Sequence, residues 1–369
     1  MTFDALHLGA LSLRRTFAVS LVPVLLLLAP PANAAELGVA NVVATNLKSP
    51  WGLAFLPDGS ALVSERDTGR ILRIDPGRPA GQNTVRLGRV TSSVPDGEGG
   101  LLDIALPPTT GSAPTFLYAY TTTRRDNRVL RIELLNGATQ LGKVTPVLTG
   151  IPKNSYHNGG RLLVDNDGTL FVATGDAGDM PSAQNSRSLA GKILHINPDG
   201  TPAAGNPNPN SPIFSLGHRN VQGLSFDSAG NLWASEFGSN ESDELNLVVA
   251  GGNYGWPTVE GNGNDSRFRN PKVTWSPTSL ASPSGIVIRD DIAYVASLRG
   301  EVLWEVPLSG VESTNPRAGK PKALRLGPYG RLRTVEVAPD GSLWLMTSNT
   351  DGRGDPRRAD DRILRLTGR

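Results

Sequence analysis

The chain of 369 residues contains no cysteine. Disulfides, thiolate metal centres and a cysteine-linked lipid anchor are therefore excluded, and stability must come from an apolar core, with hard metal ions as the remaining aid. Helical patterning is equally scarce. No window from residue 40 onward carries a sustained i, i+3, i+4, i+7 apolar stripe, which argues against a helical domain. Charge of one sign is lacking too: 36 Lys and Arg face 34 Asp and Glu, for a net charge of +2. The basic residues are scattered, so the stripe that a nucleic-acid partner requires is missing. Beyond residue 34 no apolar run is long enough to cross a bilayer, so the mature chain has no transmembrane anchor. Aromatics amount to 6%, whereas Gly (42) and Pro (29) are plentiful, a composition suited to many short strands joined by turns.

The one long apolar run lies at the start. Arg14 and Arg15 precede Phe17 to Ala29, and Ala32-Asn33-Ala34 is an A-x-A cleavage site. Residues 1–34 thus read as a signal peptide for export to the periplasm or the medium, by the general secretory or the twin-arginine route, with the mature domain spanning 35–369.

One unit recurs through that domain: an apolar strand, a tight turn and a second strand rich in β-branched and aromatic residues. Its turns fall at Gly59, Gly111, Gly168, Gly230, Asp290-Asp291 and Gly341, about 50 to 60 residues apart. Several copies continue into a third strand, as in Arg70 to Ile74, Arg128 to Ile132 and Lys192 to Ile196. This spacing predicts an all-β fold, a six-bladed β-propeller of four-stranded antiparallel blades. Two packed β-sandwiches would not repeat a hairpin at this period. The strand Arg362 to Leu366 lacks a following hairpin and Val39 to Thr45 lacks a preceding one, so pairing of the N- and C-terminal strands is expected to close the ring and remove the free sheet edges.

In a propeller, residues at the same phase of each repeat meet at one rim of the central channel. Before the first strand of successive copies stand Glu98-Gly99-Gly100, His157-Asn158-Gly159-Gly160-Arg161, Gly217-His218-Arg219-Asn220 and Gly330-Arg331-Leu332-Arg333. Asp176 and Arg299 follow the second strand, at the same end. The predicted rim gathers at least five arginines, two histidines, two asparagines and two carboxylates. Planar guanidinium groups in such number suit a carboxylate or phosphate ligand. The hairpin turning at Asp167-Gly168 also sets His157 beside Asp176, an imidazole and a carboxylate able to act as base and orienter. Gly159 and Gly160 read locally as positions where a ligand approaches the backbone.

The ordered set GEGGLLDIAL, YHNGGRL, GDAGD, GHRNVQGL, GSNESDELN with GGNYGWP, and GRLRTVEV resembles the soluble quinoprotein glucose/sorbosone dehydrogenase family, six-bladed propellers that oxidise aldoses with pyrroloquinoline quinone (PQQ). The likeness spans nearly all of residues 40–369. It implies that His157 is the general base for an aldose substrate, that Asp176 orients it, and that Arg219 stabilises the reduced cofactor, with Asn220 beside it. It also implies that Arg331 and Arg333 grip the PQQ carboxylates. Arg299 stands where lysine occurs among relatives. Glu98 stands where a glutamine is common, and a carboxylate facing a tricarboxylic cofactor repels it unless protonated or metal-bound.

Glu241, Asp243 and Glu244 make the loop after Gly238 acidic, and oxygen ligands without cysteine favour calcium over zinc. By resemblance, the carbonyls of Gly238 and Ser239 would hold a Ca²⁺ that bridges to PQQ, and Glu244 with the Tyr254 carbonyl would hold a second, structural one. Trp275 and Tyr329 are the candidates to lie over the quinone or the sugar. Reduced PQQ would pass electrons to an acceptor that the sequence does not name. Two other readings remain at this point: a calcium-dependent lactonase on the same fold, which needs no arginine cluster, and a non-catalytic propeller that binds a glycan or protein and tolerates loss of His157.

Overall fold

The computed structural model describes residues 1, 2, 36–108 and 113–368. The expected signal segment from residue 3 on, and the turn around Gly111, lie outside the described residues.

Each anticipated hairpin forms and becomes the inner half of an antiparallel blade. The innermost strands are Pro50–Phe55, Leu101–Ala105, Leu162–Val164, Val221–Phe226, Pro283–Arg289 and Leu332–Val337. Each pairs with the next strand in sequence, respectively Ala61–Glu65, Phe116–Thr122, Leu170–Ala173, Leu232–Glu236, Ile292–Ser297 and Leu343–Thr347. A third strand follows in every blade, and an outer strand completes it, giving six sheets among the described residues. In the fifth blade the outer position is shared by two short pieces, Arg317–Ala318 and Lys322–Leu324, both paired with Leu303–Ser309. In the sixth, Gly38–Ala44 pairs antiparallel with Ile363–Thr367. The closure expected from the termini is therefore present. Innermost strands of consecutive blades touch all the way round, including sixth to first.

The burial pattern follows from this layering. A second strand is covered on both faces by neighbouring blades, so Ala61–Glu65, Leu232–Glu236 and Leu343–Thr347 are buried at every residue. Such strands read as continuous apolar runs rather than alternating ones. Outer strands face water, and Thr84–Arg89 is mostly exposed. The core is accordingly a set of wedges between blades. Leu62 and Ile71 meet Leu101 and Leu117 at the first junction, and Val63 and Leu72 meet Trp344 and Met346 where the ring closes. Each large side chain buried there contributes about 1.5–3 kcal/mol.

Near the axis the strands come too close for side chains. A Cβ at Gly223 would strike the Ser284 carbonyl, and one at Gly52 would stand 2.7 Å from the Ile104 amide nitrogen. Innermost strands also carry a register shift at a common phase, between Pro50 and Leu53, Leu101 and Ile104, Val221 and Gly223, Pro283 and Ile286, and Leu332 and Thr334. A bulge bends its strand and re-aims the side chains beside it. Five of the six innermost strands carry one near the start; Leu162–Val164, in the third blade, pairs in regular register.

Gly223→Ala should therefore lower stability by about 1–3 kcal/mol, the usual cost of overpacking, read as a lower melting temperature. An unchanged melting temperature would show that the fourth and fifth blades separate freely.

Candidate active site

Residues at the starts of innermost strands, with those of the adjoining loops, surround a cavity of about 290 Å³. That volume suits a small ligand. Eight residues predicted for the site line it: Glu98, His157, Arg219, Gly238, Ser239, Arg299, Arg331 and Arg333. Asp176, fully buried, stands behind His157. Asn220 is buried beside Arg219, and its Oδ1 accepts the Gly159 amide at 3.0 Å.

His157 and Asp176 form the expected dyad, with Nδ1 and Oδ1 2.8 Å apart. Oδ1 also accepts the Gly178 amide at 2.8 Å, and Oδ2 accepts the indole N–H of Trp256 at 2.8 Å. Burial by itself would raise the Asp176 pKa, but the bonds from His157, Gly178 and Trp256 outweigh it and hold the carboxyl below its ordinary value. An ionised Asp176 assigns the proton to Nδ1 and leaves Nε2 as an acceptor. The dyad is built into the backbone. His157 adopts a left-handed φ of 57°, its N–H donates to Glu98 Oε2 at 3.0 Å, and its carbonyl accepts the Ala177 amide at 3.1 Å. Glu98 in turn pairs with Arg353, Oε1 to Nη2, at 2.8 Å.

A second cluster faces the dyad. Asp351 Oδ2 receives both Arg331 and Arg333, each at 3.1 Å, and the Asp351 carbonyl accepts Arg66 at 3.0 Å. Burial raises the Asp351 pKa, but Arg333 and Arg331 overcome it and leave the net shift downward. Burial drives the Arg333 guanidinium down to about 10. Its Nη1 donates to Gln222 Oε1 at 2.9 Å.

The third wall is the acidic loop. One oxygen, Glu260 Oε1, accepts four consecutive amides, from Ser239, Asn240, Glu241 and Ser242, at 2.7 to 3.1 Å. Asp243 accepts the Gly238 amide at 2.9 Å and the Ser282 amide at 2.7 Å, and burial pushes its pKa up to about 7. Behind this wall Glu244 accepts Gly261 N–H and Asn246 Nδ2, and burial with the neighbouring Glu236 raises it to about 8. Tyr254 adjoins the same small gap as Glu236, Glu244 and Glu260. Among the described residues no group of three or more His, Asp or Glu side chains forms a metal cage.

Several expectations need correction. Arg161 does not reach the rim: it is buried, bonded to Asp103, to the Gln222 carbonyl and to Thr334, with Trp51 4.4 Å beneath it. It thus joins its own blade to four others. His218 is fully buried between Glu236 and Ser215 and stacks on Tyr254, so its role is structural. Gly159 and Gly160 serve packing instead of a ligand, since a Cβ there would strike Thr174 and Leu102. Neither Trp275 nor Tyr329 lines the cavity; Trp51, Tyr156 and Phe237 do. Trp275 is 3% exposed in the wedge between the fourth and fifth blades. Residues not anticipated, Arg66 and Asp351, carried a signal: both follow a second strand, the phase of Asp176 and Arg299. Gln222 and Trp51 needed the bulge, which no pattern announces.

A sequence model for glucose/sorbosone dehydrogenases matches residues 47–364. The chain belongs to this family. A PQQ-bound aldose sugar dehydrogenase of Streptomyces coelicolor is 49% identical, with a TM-score of 0.84 over 92% of this chain and all of that one. Among family relatives by sequence, quinoprotein glucose dehydrogenase B of Acinetobacter calcoaceticus is 33% identical over 62% of this chain and 54% of its own length. An aldose sugar dehydrogenase of Escherichia coli is 28% identical over 85% of this chain and 90% of that protein. Membership of the dehydrogenase family agrees with the six blades and the position of the dyad at their common rim.

The Asp351 carboxylate ties two arginines, Arg331 and Arg333, so Asp351→Asn should destabilise the protein by about 3–5 kcal/mol at neutral pH. A carboxyl whose folded pKa is depressed stabilises above its unfolded value and loses that contribution as pH falls through the folded one. The difference between the wild type and the variant should accordingly shrink below the ordinary aspartate value of 3.8. Parallel stability curves across that range, by denaturant titration, would show the aspartate to be uncoupled.

Proposed function

We propose that the protein is an exported, PQQ- and calcium-dependent aldose dehydrogenase that oxidises the sugar C1 to a lactone. The observation that carries this reading is the His157–Asp176 dyad, braced by Trp256, opening into a cavity whose far wall is arginine. Arg219 Nε, on the wall, is buried without a hydrogen-bond partner among the described residues, as is Nδ2 of the adjoining Asn220, which does not itself line the cavity. Orphaned donors of this kind fit an anionic ligand that accepts from them. Arg331, Arg333 and Arg299 would hold its carboxylates, and Glu98 would face it.

Calcium fits the oxygen-rich third wall, where the carbonyls of Gly238 and Ser239 would bind one ion. Glu244 and the Tyr254 carbonyl would bind a second, because a buried carboxylate beside Glu236 calls for a cation. Bound PQQ supplies a two-electron acceptor for hydride. The chain's own part is to place the sugar and move the proton. His157 Nε2 takes the anomeric hydroxyl proton as C1 loses hydride, and Asp176 stabilises the imidazolium that results. Arg219, half-buried over the Trp256 ring at 5.4 Å, offers a cation with little competing water. A separate electron acceptor would complete the cycle. A lactonase would leave the arginine wall without a task, and a non-catalytic propeller would leave the dyad without one.

Reconstitution of purified apoprotein with PQQ and Ca²⁺, followed by dye reduction with glucose and other aldoses, tests the whole. Sugar-dependent reduction is expected, and chelation of Ca²⁺ should abolish it. Absence of both a quinone spectrum and sugar-dependent reduction would reject the reading. His157→Ala should retain PQQ and lose about 10²–10⁴-fold in turnover, so undiminished turnover would displace it as the base. Arg331→Ala with Arg333→Ala should weaken PQQ binding, and unchanged affinity would reduce the pair to structural charge.

A further inference from the structure

Glu98 places a carboxylate on the wall of a cavity proposed to hold a polycarboxylate. Its surroundings show how the charge is managed. Oε2 is committed to the His157 amide at 3.0 Å, and the Glu98 amide donates to the Ser155 carbonyl at 2.7 Å, so the side chain cannot swing away without releasing the base. Oε1 is taken by Arg353 at 2.8 Å. Arg353 comes from the sixth blade, on the loop after the last hairpin, where its amide donates to Asp351 Oδ1 at 2.9 Å. The Arg353 side chain is 64% exposed, against 21% for Glu98, and both line the cavity. Arg331 and Arg333 are already bound to Asp351. Arg219 and Arg333 also feel the Glu98 charge, but Arg353 is the cation in direct ion-pair contact with it.

We propose that Arg353 is the dedicated counter-ion of Glu98, and that the pair sets how tightly the cavity takes an anionic cofactor. A glutamine at position 98 could still accept from the His157 amide but would need no counter-ion. Arg353 is therefore the partner that a glutamate at this position requires. The protonated or metal-bound state expected for a glutamate here is unnecessary: an ion pair across the mouth does the same work. The pair acts by positioning and by charge, and neither residue handles the reacting proton.

This rests on the proposed function, because the probe is PQQ. A double-mutant cycle separates the two claims. Binding of PQQ to calcium-loaded apoprotein, read by tryptophan quenching and equilibrium dialysis, is compared for wild type, Glu98→Gln, Arg353→Gln and the double variant. Arg353→Gln should weaken binding about tenfold when Glu98 is present and less than about threefold in the Glu98→Gln background. Arg353→Lys, which keeps the charge, should stay within about threefold of wild type. Equal losses in both backgrounds would make Arg353 an independent attractor and overturn the coupling, as would no loss in either. Failure of the wild type to bind PQQ would overturn the proposed function, and this inference with it.

Discussion

The pairing of Gly38–Ala44 with Ile363–Thr367 is the interaction on which the rest depends. Residues more than 300 positions apart complete one sheet, and that sheet seals the last wedge of the core. Sealing it fixes the distance between the first and sixth innermost strands. Every rim residue takes its place from that ring. Arg333 meets Gln222 across it, and Arg161 meets Thr334, so an open ring would scatter the site while leaving individual blades intact.

Within the closed ring, two buried aspartates organise opposite walls. Asp176 holds an imidazole and an indole, and Asp351 holds guanidinium groups. Both remain below the ordinary aspartate pKa in spite of burial, because their partners outweigh the cost of desolvation. One carboxylate thus orients an imidazole and the other arrays positive charge. Their separation in the fold keeps the two tasks from interfering.

The blades were legible because a hairpin is local: Asp-Gly turns, period-two patterning and the apolar middle strand all lie within one short stretch. The rim was legible for a similar reason. His157, Arg219 and Arg331 occupy one phase of the repeat, and symmetry turns phase into place. What escaped notice breaks the symmetry. Trp256 and Glu260 belong to the insertion after the fourth blade's third strand, and Arg353 belongs to a long loop before the last strand, so no repeat predicts where their chains return. Arg161 and His218 sit at the right phase yet point elsewhere, because the bulges and the buried partners Asp103 and Glu236 decide orientation. The outer strands were faint because water covers them and relaxes the apolar pattern.

Arg161 has one more effect. Bonded to three blades from its own and lying over the tryptophan of a fourth, it couples five blades through one side chain. Segments that share no hairpin thus have a single guanidinium in common, and a substitution there would be felt well beyond the blade that carries it.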